Sequence, residues 1–137
     1  MSYAYTPYLF PSLFATVICW GMMFFLWRYR SRKGNLILLF LTGCASLWAL
    51  GYTFEIAATS LAAKVFWAKC QYFVIPVIPT LFLVFTLVYT HREKWLLSVR
   101  YLLFVFPVLM PVLAVTTEWH GLLWKSYILS LDAPFPN

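Results

Sequence analysis

Charge is what this sequence has least of. Only 10% of its 137 residues are Asp, Glu, Lys or Arg, against about 25% in a soluble globular domain. A small domain exposes much of its area, so this few charges cannot cover a water-facing surface. Hydrophobic residues make up 64%, and the mean hydropathy is +0.82. The composition excludes a soluble domain and points to an integral membrane protein.

Other shortages exclude whole chemistries. The chain has four acids, and they form no catalytic carboxylate pair. There is no Ser-His-Asp arrangement and no phosphate-cradling glycine loop, so the chain reads as a non-enzyme. Its two histidines, His91 and His120, fall at opposite ends of apolar runs. A hydrocarbon core of about 30 Å separates them, so they share no metal and no haem. Glu118 and His120, two apart in a loop, are a weak metal pair. Cys19, Cys44 and Cys70 are odd in number, lie in apolar runs and form no C-x-x-C. They read as small buried hydrophobes, not as a disulfide framework or a zinc site. No cofactor is expected.

What charge there is sits in two short loops. The net charge is +6. Arg28, Arg30, Arg32 and Lys33 fall within six residues, and Arg92, Lys94 and Arg100 form a second basic stretch against one acid, Glu93. Basic loops between apolar runs set membrane orientation. They are not the basic stripe of a nucleic-acid binder, and no nucleic-acid partner is expected. The expected partners are the lipid bilayer and other transmembrane helices or membrane-protein subunits.

Four apolar runs remain, at about 8–28, 36–58, 64–90 and 95–117. Leu9 to Trp27 is 19 residues without a charge. At about 1.5 Å per residue it matches a core of about 30 Å. Both basic loops are cytoplasmic by the positive-inside rule, which puts the N-terminus and the tail from 118 to 137 outside. Within that tail, 122–131 is too short to span and reads as an interfacial helix or a re-entrant segment. Ala45 and Ala49, four apart, permit close helix approach in the second span. Pro76 and Pro79 lie well inside the third span, and Pro107 and Pro111 inside the fourth. An interior proline frees a carbonyl and bends its helix. The expected architecture is a single-domain, all-α bundle of four transmembrane helices, with the third and fourth kinked. Seven Trp, nine Tyr and thirteen Phe read as interfacial belts and lipid-facing bulk.

One acid sits in an apolar run. Glu55 closes the second span with no cation within eight residues on either side, and Lys64 and Lys69 open the third. With the turn near residues 60 and 61, Glu55 lies about five residues deep, Lys64 shallower and Lys69 deeper, an offset that lysine stems can bridge. Two readings stay open. The group is a clasp that fixes the hairpin register, or it is a ligand or ion site. Lys69 as a retinal-type Schiff base, with Glu55 as counterion, is too shallow.

The spacing as a whole resembles a known family. It runs W-x2-G-Y-x2-E (Trp48, Gly51, Tyr52, Glu55), K-x2-Y (Lys69, Tyr72), and P-x5-F-x3-Y-T (Pro79, Phe85, Tyr89, Thr90). Then come Trp95, the Phe106-Pro107 pair, and T-x-E-W-H-G-L-L-W from Thr116 to Trp124. This resembles the N-terminal seven-transmembrane region of bacterial and archaeal sensor histidine kinases, in order, over nearly the whole chain. The resemblance implies a non-catalytic sensory input domain in a prokaryotic cytoplasmic membrane, feeding a two-component system. It marks Glu55, Lys69, Pro79 and His120 as characteristic positions, but brings no ligand site with it; an outward-opening pocket near Glu55, Lys69 and His120 is a separate expectation for a receptor-like module. The chain shows four spans where the family has seven, and no output module. A second expectation therefore stands beside the sensor: a small accessory or structural subunit of a larger membrane complex, respiratory or photosynthetic.

Overall fold

The computed structural model describes residues 3–124. Among these the chain is helical and contains no strand. Helix α1 is Leu9–Arg28, α2 is Asn35–Ala57, α3 is Leu61–Gln71, α4 is Val77–Tyr89, α5 is Lys94–Val115, and α6 is the single turn Thr117–His120. Three of them, α1, α2 and α5, are long and apolar enough to cross a membrane. The expected tail segment at 122–131 falls largely outside the described residues.

Helix α2 is the hub. It packs along α1 and also against α3 and α4, while α5 touches α3, α4 and α6. The contacts of α2 are lined with small and hydroxyl residues: Thr42, Ser46, Gly51 and Thr53 are all buried. Small residues let helices approach where lipid supplies no hydrophobic drive between them. Thr53 Oγ1 lies 2.9 Å from Ser12 Oγ, a hydroxyl pair joining α1 to α2. Bulk faces outward instead. Phe14, Phe24, Phe82 and Phe104 are each more than half exposed, the reverse of a water-soluble core.

The expected third span differs from the sequence reading. It is divided into α3, of 11 residues, and α4, of 13. Pro76 is the N-cap of α4 and Pro79 lies in its first turn, so neither sits in a helix interior. The reason is local. Pro76 lacks the N–H that would bond Tyr72, its ring crowds that carbonyl, and it disfavours helix at the residue before it. The backbone mostly tightens to three-residue bonds instead: Tyr72 N–H to Lys69 O at 3.1 Å, Phe73 to Cys70 at 3.2 Å, Val74 to Gln71 at 3.0 Å and Val77 to Val74 at 3.1 Å, while Ile75 N–H keeps a four-residue bond to Gln71 O at 2.9 Å. Helix α4 then restarts, with Thr80 Oγ1 donating to Pro76 O at 3.0 Å. Pro107 and Pro111 do lie inside α5.

The two ends of the bundle are closed differently. At the end carrying the first basic loop, Gly34 adopts φ 84° to cap α2. A Cβ there would also meet the Phe85 ring at 3.1 Å, so the position needs glycine twice over. Helix α4 ends in the same region with His91 at φ 58°. Arg92 N–H donates to Leu87 O at 2.8 Å and His91 N–H to Val88 O at 3.3 Å, which is the Schellman pattern. Lys33 joins the two loops, 2.6 Å from Glu93 Oε1 and 2.8 Å from His91 Nδ1. At the other end, the N-terminal residues strap the α2–α3 turn: Ala4 N–H donates to Ala57 O at 2.8 Å.

Candidate functional site

The α2–α3 hairpin holds the polar residues that the sequence singled out. Ser60 is the N-cap of α3 and accepts from Ala63 N–H at 3.3 Å, a cap worth about 1 kcal/mol. Lys64 and Gln71 are seven residues apart, nearly two full turns, so they share a face. Both are buried. Lys69, five from Lys64, points elsewhere.

The carbonyls at the end of α2 account for Lys64. The last four carbonyls of a helix lack intrahelical partners. Phe54 O accepts from Ala58 N–H at 2.9 Å, and Ala57 O accepts from Ala4 N–H at 2.8 Å. Glu55 O accepts from Lys64 Nζ at 3.3 Å. The ammonium therefore caps the negative end of the α2 dipole. Its charge also attracts the Glu55 carboxylate.

That carboxylate has a different hydrogen-bond partner. Glu55 Oε2 accepts from Gln71 Nε2. Gln71 Nε2 also lies 3.3 Å from Trp67 O. Gly51, one turn before Glu55 on α2, makes room for this side chain: a Cβ at 51 would lie 2.9 Å from Gln71 Cγ. A cavity of about 320 Å³ opens beside Gln71, lined also by Gly51, Phe54, Trp67, Cys70 and Val74. Over it, the Phe54 and Trp67 rings stack at 4.6 Å, and Trp67 Nε1–H donates to Tyr3 Oη at 3.2 Å.

The remaining predicted residues go to a second cluster. Lys69 pairs with Glu118 on α6 at 2.5 Å. Those two charges line a separate cavity of about 570 Å³ with Leu61, Ala62, Val65 and Phe66. His120 accepts from Leu122 N–H on Nδ1 at 3.1 Å, and its Nε2 lies 3.0 Å from Thr116 Oγ1. An accepting Nδ1 leaves the proton on Nε2, which then donates to the hydroxyl. Lys69 and His120 thus do not join Glu55.

Sequence reasoning missed Gln71, Gly51 and Glu118 as parts of these clusters. The signal for the first was present: Gln71 is the only glutamine in the chain, and it lies in an apolar stretch.

Helices of this length and apolarity, with bulky side chains outward and hydroxyls inward, define an all-α, multi-pass membrane protein. Residues 11–137 match the family model described as the N-terminal 7TM region of histidine kinase, and the chain belongs to that family. No curated protein and no solved structure matches it.

Proposed function

We propose that this chain is a non-catalytic sensory input module for histidine-kinase signalling, with the Glu55–Gln71–Lys64 centre as the part that responds. Family membership supports the sensory role. The single observation that carries the site is the part-buried Glu55–Gln71 hydrogen bond, whose glutamine lines an open cavity. A ligand entering there competes for the Gln71 amide and moves α3 against α2. The divided segment at Tyr72–Pro76 and the prolines of α5, Pro107 and Pro111, are the points at which such a shift bends the bundle, because ligands act by biasing elements with two arrangements. Lys69, Glu118 and His120 form a second polar patch at the same end.

In this reading both basic loops face the cytoplasm, as the positive-inside rule requires. The N-terminal strap and the hairpin turn then face outward, in a prokaryotic cytoplasmic membrane. The test is deletion of the chain from its source cell, followed by measurement of phosphohistidine in the membrane fraction. Deletion alters the phosphohistidine level of at least one kinase, and the wild-type chain restores it. Unchanged phosphohistidine on deletion overturns the sensory reading.

A further inference from the structure

A cavity of about 380 Å³ lies at the opposite end of the bundle from the α2–α3 hairpin, lined by Phe24, Trp27, Arg28, Arg30 and Ser31. A larger, apolar cavity of about 620 Å³ runs between α1 and α2, from Trp27 and Leu36 to Trp20 and Leu47. Phe24 and Trp27 line both, so the polar and apolar spaces adjoin across those two rings.

Their chemistries are complementary halves of one ligand. Among the described residues the ion pairs are Lys33–Glu93 and Lys69–Glu118, so no carboxylate neutralises Arg28 or Arg30. The Arg30 guanidinium carbon lies over the Trp27 ring, 4.6 Å from its centroid. A guanidinium held over a ring face keeps donors free to bind an anion such as a phosphate. The apolar space has the right depth. The α2 stretch from Leu36 to Leu47 rises about 16 Å, close to half of a core of about 30 Å, the thickness of one leaflet.

The structure assigns this paired cavity to one phospholipid with an anionic headgroup. Arg28 and Arg30 receive the phosphate, and an acyl chain lies in the groove between α1 and α2. A free anion would use only the polar half, and a packed helix only the apolar half.

The test uses the whole chain, purified in mild detergent with equimolar phosphatidylglycerol and phosphatidylcholine, and read by native mass spectrometry. One phosphatidylglycerol is retained, preferred by at least about fivefold, since a basic residue at the surface is worth about 1 kcal/mol toward an anionic lipid. Arg28→Gln with Arg30→Gln abolishes the preference. Lys94→Gln with Arg100→Gln, which removes the same charge from the other basic stretch, leaves it intact. Circular dichroism checks the helix content of both. If the first double variant loses it, Arg30→Lys carries the test: the charge stays and the planar fork is lost, so the amount of phosphatidylglycerol retained falls, and unchanged retention overturns the assignment. Equal retention of the two lipids also overturns it. So does an equal loss in both double variants, displacement of the lipid by millimolar inorganic phosphate, or a lipid-free dimer.

Discussion

Gly51 and Gln71 interlock across the α2–α3 interface: a Cβ on residue 51 would stand 2.9 Å from Gln71 Cγ. Gln71 is buried and bonded to Glu55, so it cannot step aside without breaking that bond. Gly51→Ala is therefore expected to destabilise the protein by about 1–3 kcal/mol, as overpacking does. Gly51→Ala with Gln71→Ala should cost less than the sum of the two single changes, because shortening residue 71 removes the clash. Thermal unfolding in detergent measures the cycle. Strict additivity would show that the two residues do not meet.

The two lysines of the hairpin should behave differently. Lys64 is buried on a helix-end carbonyl, whereas Lys69 pairs with a mostly exposed Glu118. Lys64→Met leaves Glu55 O without its partner and is expected to cost about 1–3 kcal/mol. Lys69→Met breaks a pair of the kind worth about 0–1 kcal/mol. The same unfolding assay ranks them, and equal losses would contradict the assigned roles.

At the basic end, the Lys33 hydrogen bond to Glu93 holds that carboxyl below its usual range, with a bond to the Glu93 backbone as the next contribution. A depressed carboxylate contributes stability that is present above its unfolded value, about 4.3, and is lost as pH falls through the lowered folded value. Titration of Glu93 by carboxyl NMR should show a midpoint below the ordinary one, returning toward it in Lys33→Gln. A midpoint that Lys33→Gln does not move would remove Lys33 as the cause.

Pro76→Ala restores a backbone donor at the point where α3 gives way to α4. The expected result is stronger protection of amides 72, 73, 74 and 77 in hydrogen–deuterium exchange, as four-residue bonds replace their three-residue ones. Protection equal to that of the parent chain would mean that something other than Pro76 sets the break.

Much of this was legible from residue types alone. Long uncharged runs place α1, α2 and α5 because helix is the only open-ended backbone that satisfies itself in lipid. Glu55 was legible as an anomaly because an acid is expensive there. Its hydrogen-bond partner was not, because Gln71, two residues beyond Lys69, is neutral and gives no charge signal in the sequence. The faces of α3 decide the matter: Lys64 and Gln71 turn toward α2, and Lys69 turns toward Glu118. Proline spacing tells that the helix is disturbed near Pro76, not whether it resumes at once, so a kink and a division look alike in the sequence. Glu118 and Lys69 are 49 residues apart, and only the packing of α5 against α3 brings them together.

The most direct test of the account replaces the chromosomal copy with Gln71→Leu, which keeps the bulk of residue 71 and removes its amide. The variant should reach the membrane at normal abundance and helix content, and phosphohistidine in the membrane fraction should shift in the same kinase as on deletion. A folded, abundant Gln71→Leu protein that leaves phosphohistidine at the wild-type level, where deletion changes it, would contradict the claim that the Glu55–Gln71 bond is the input.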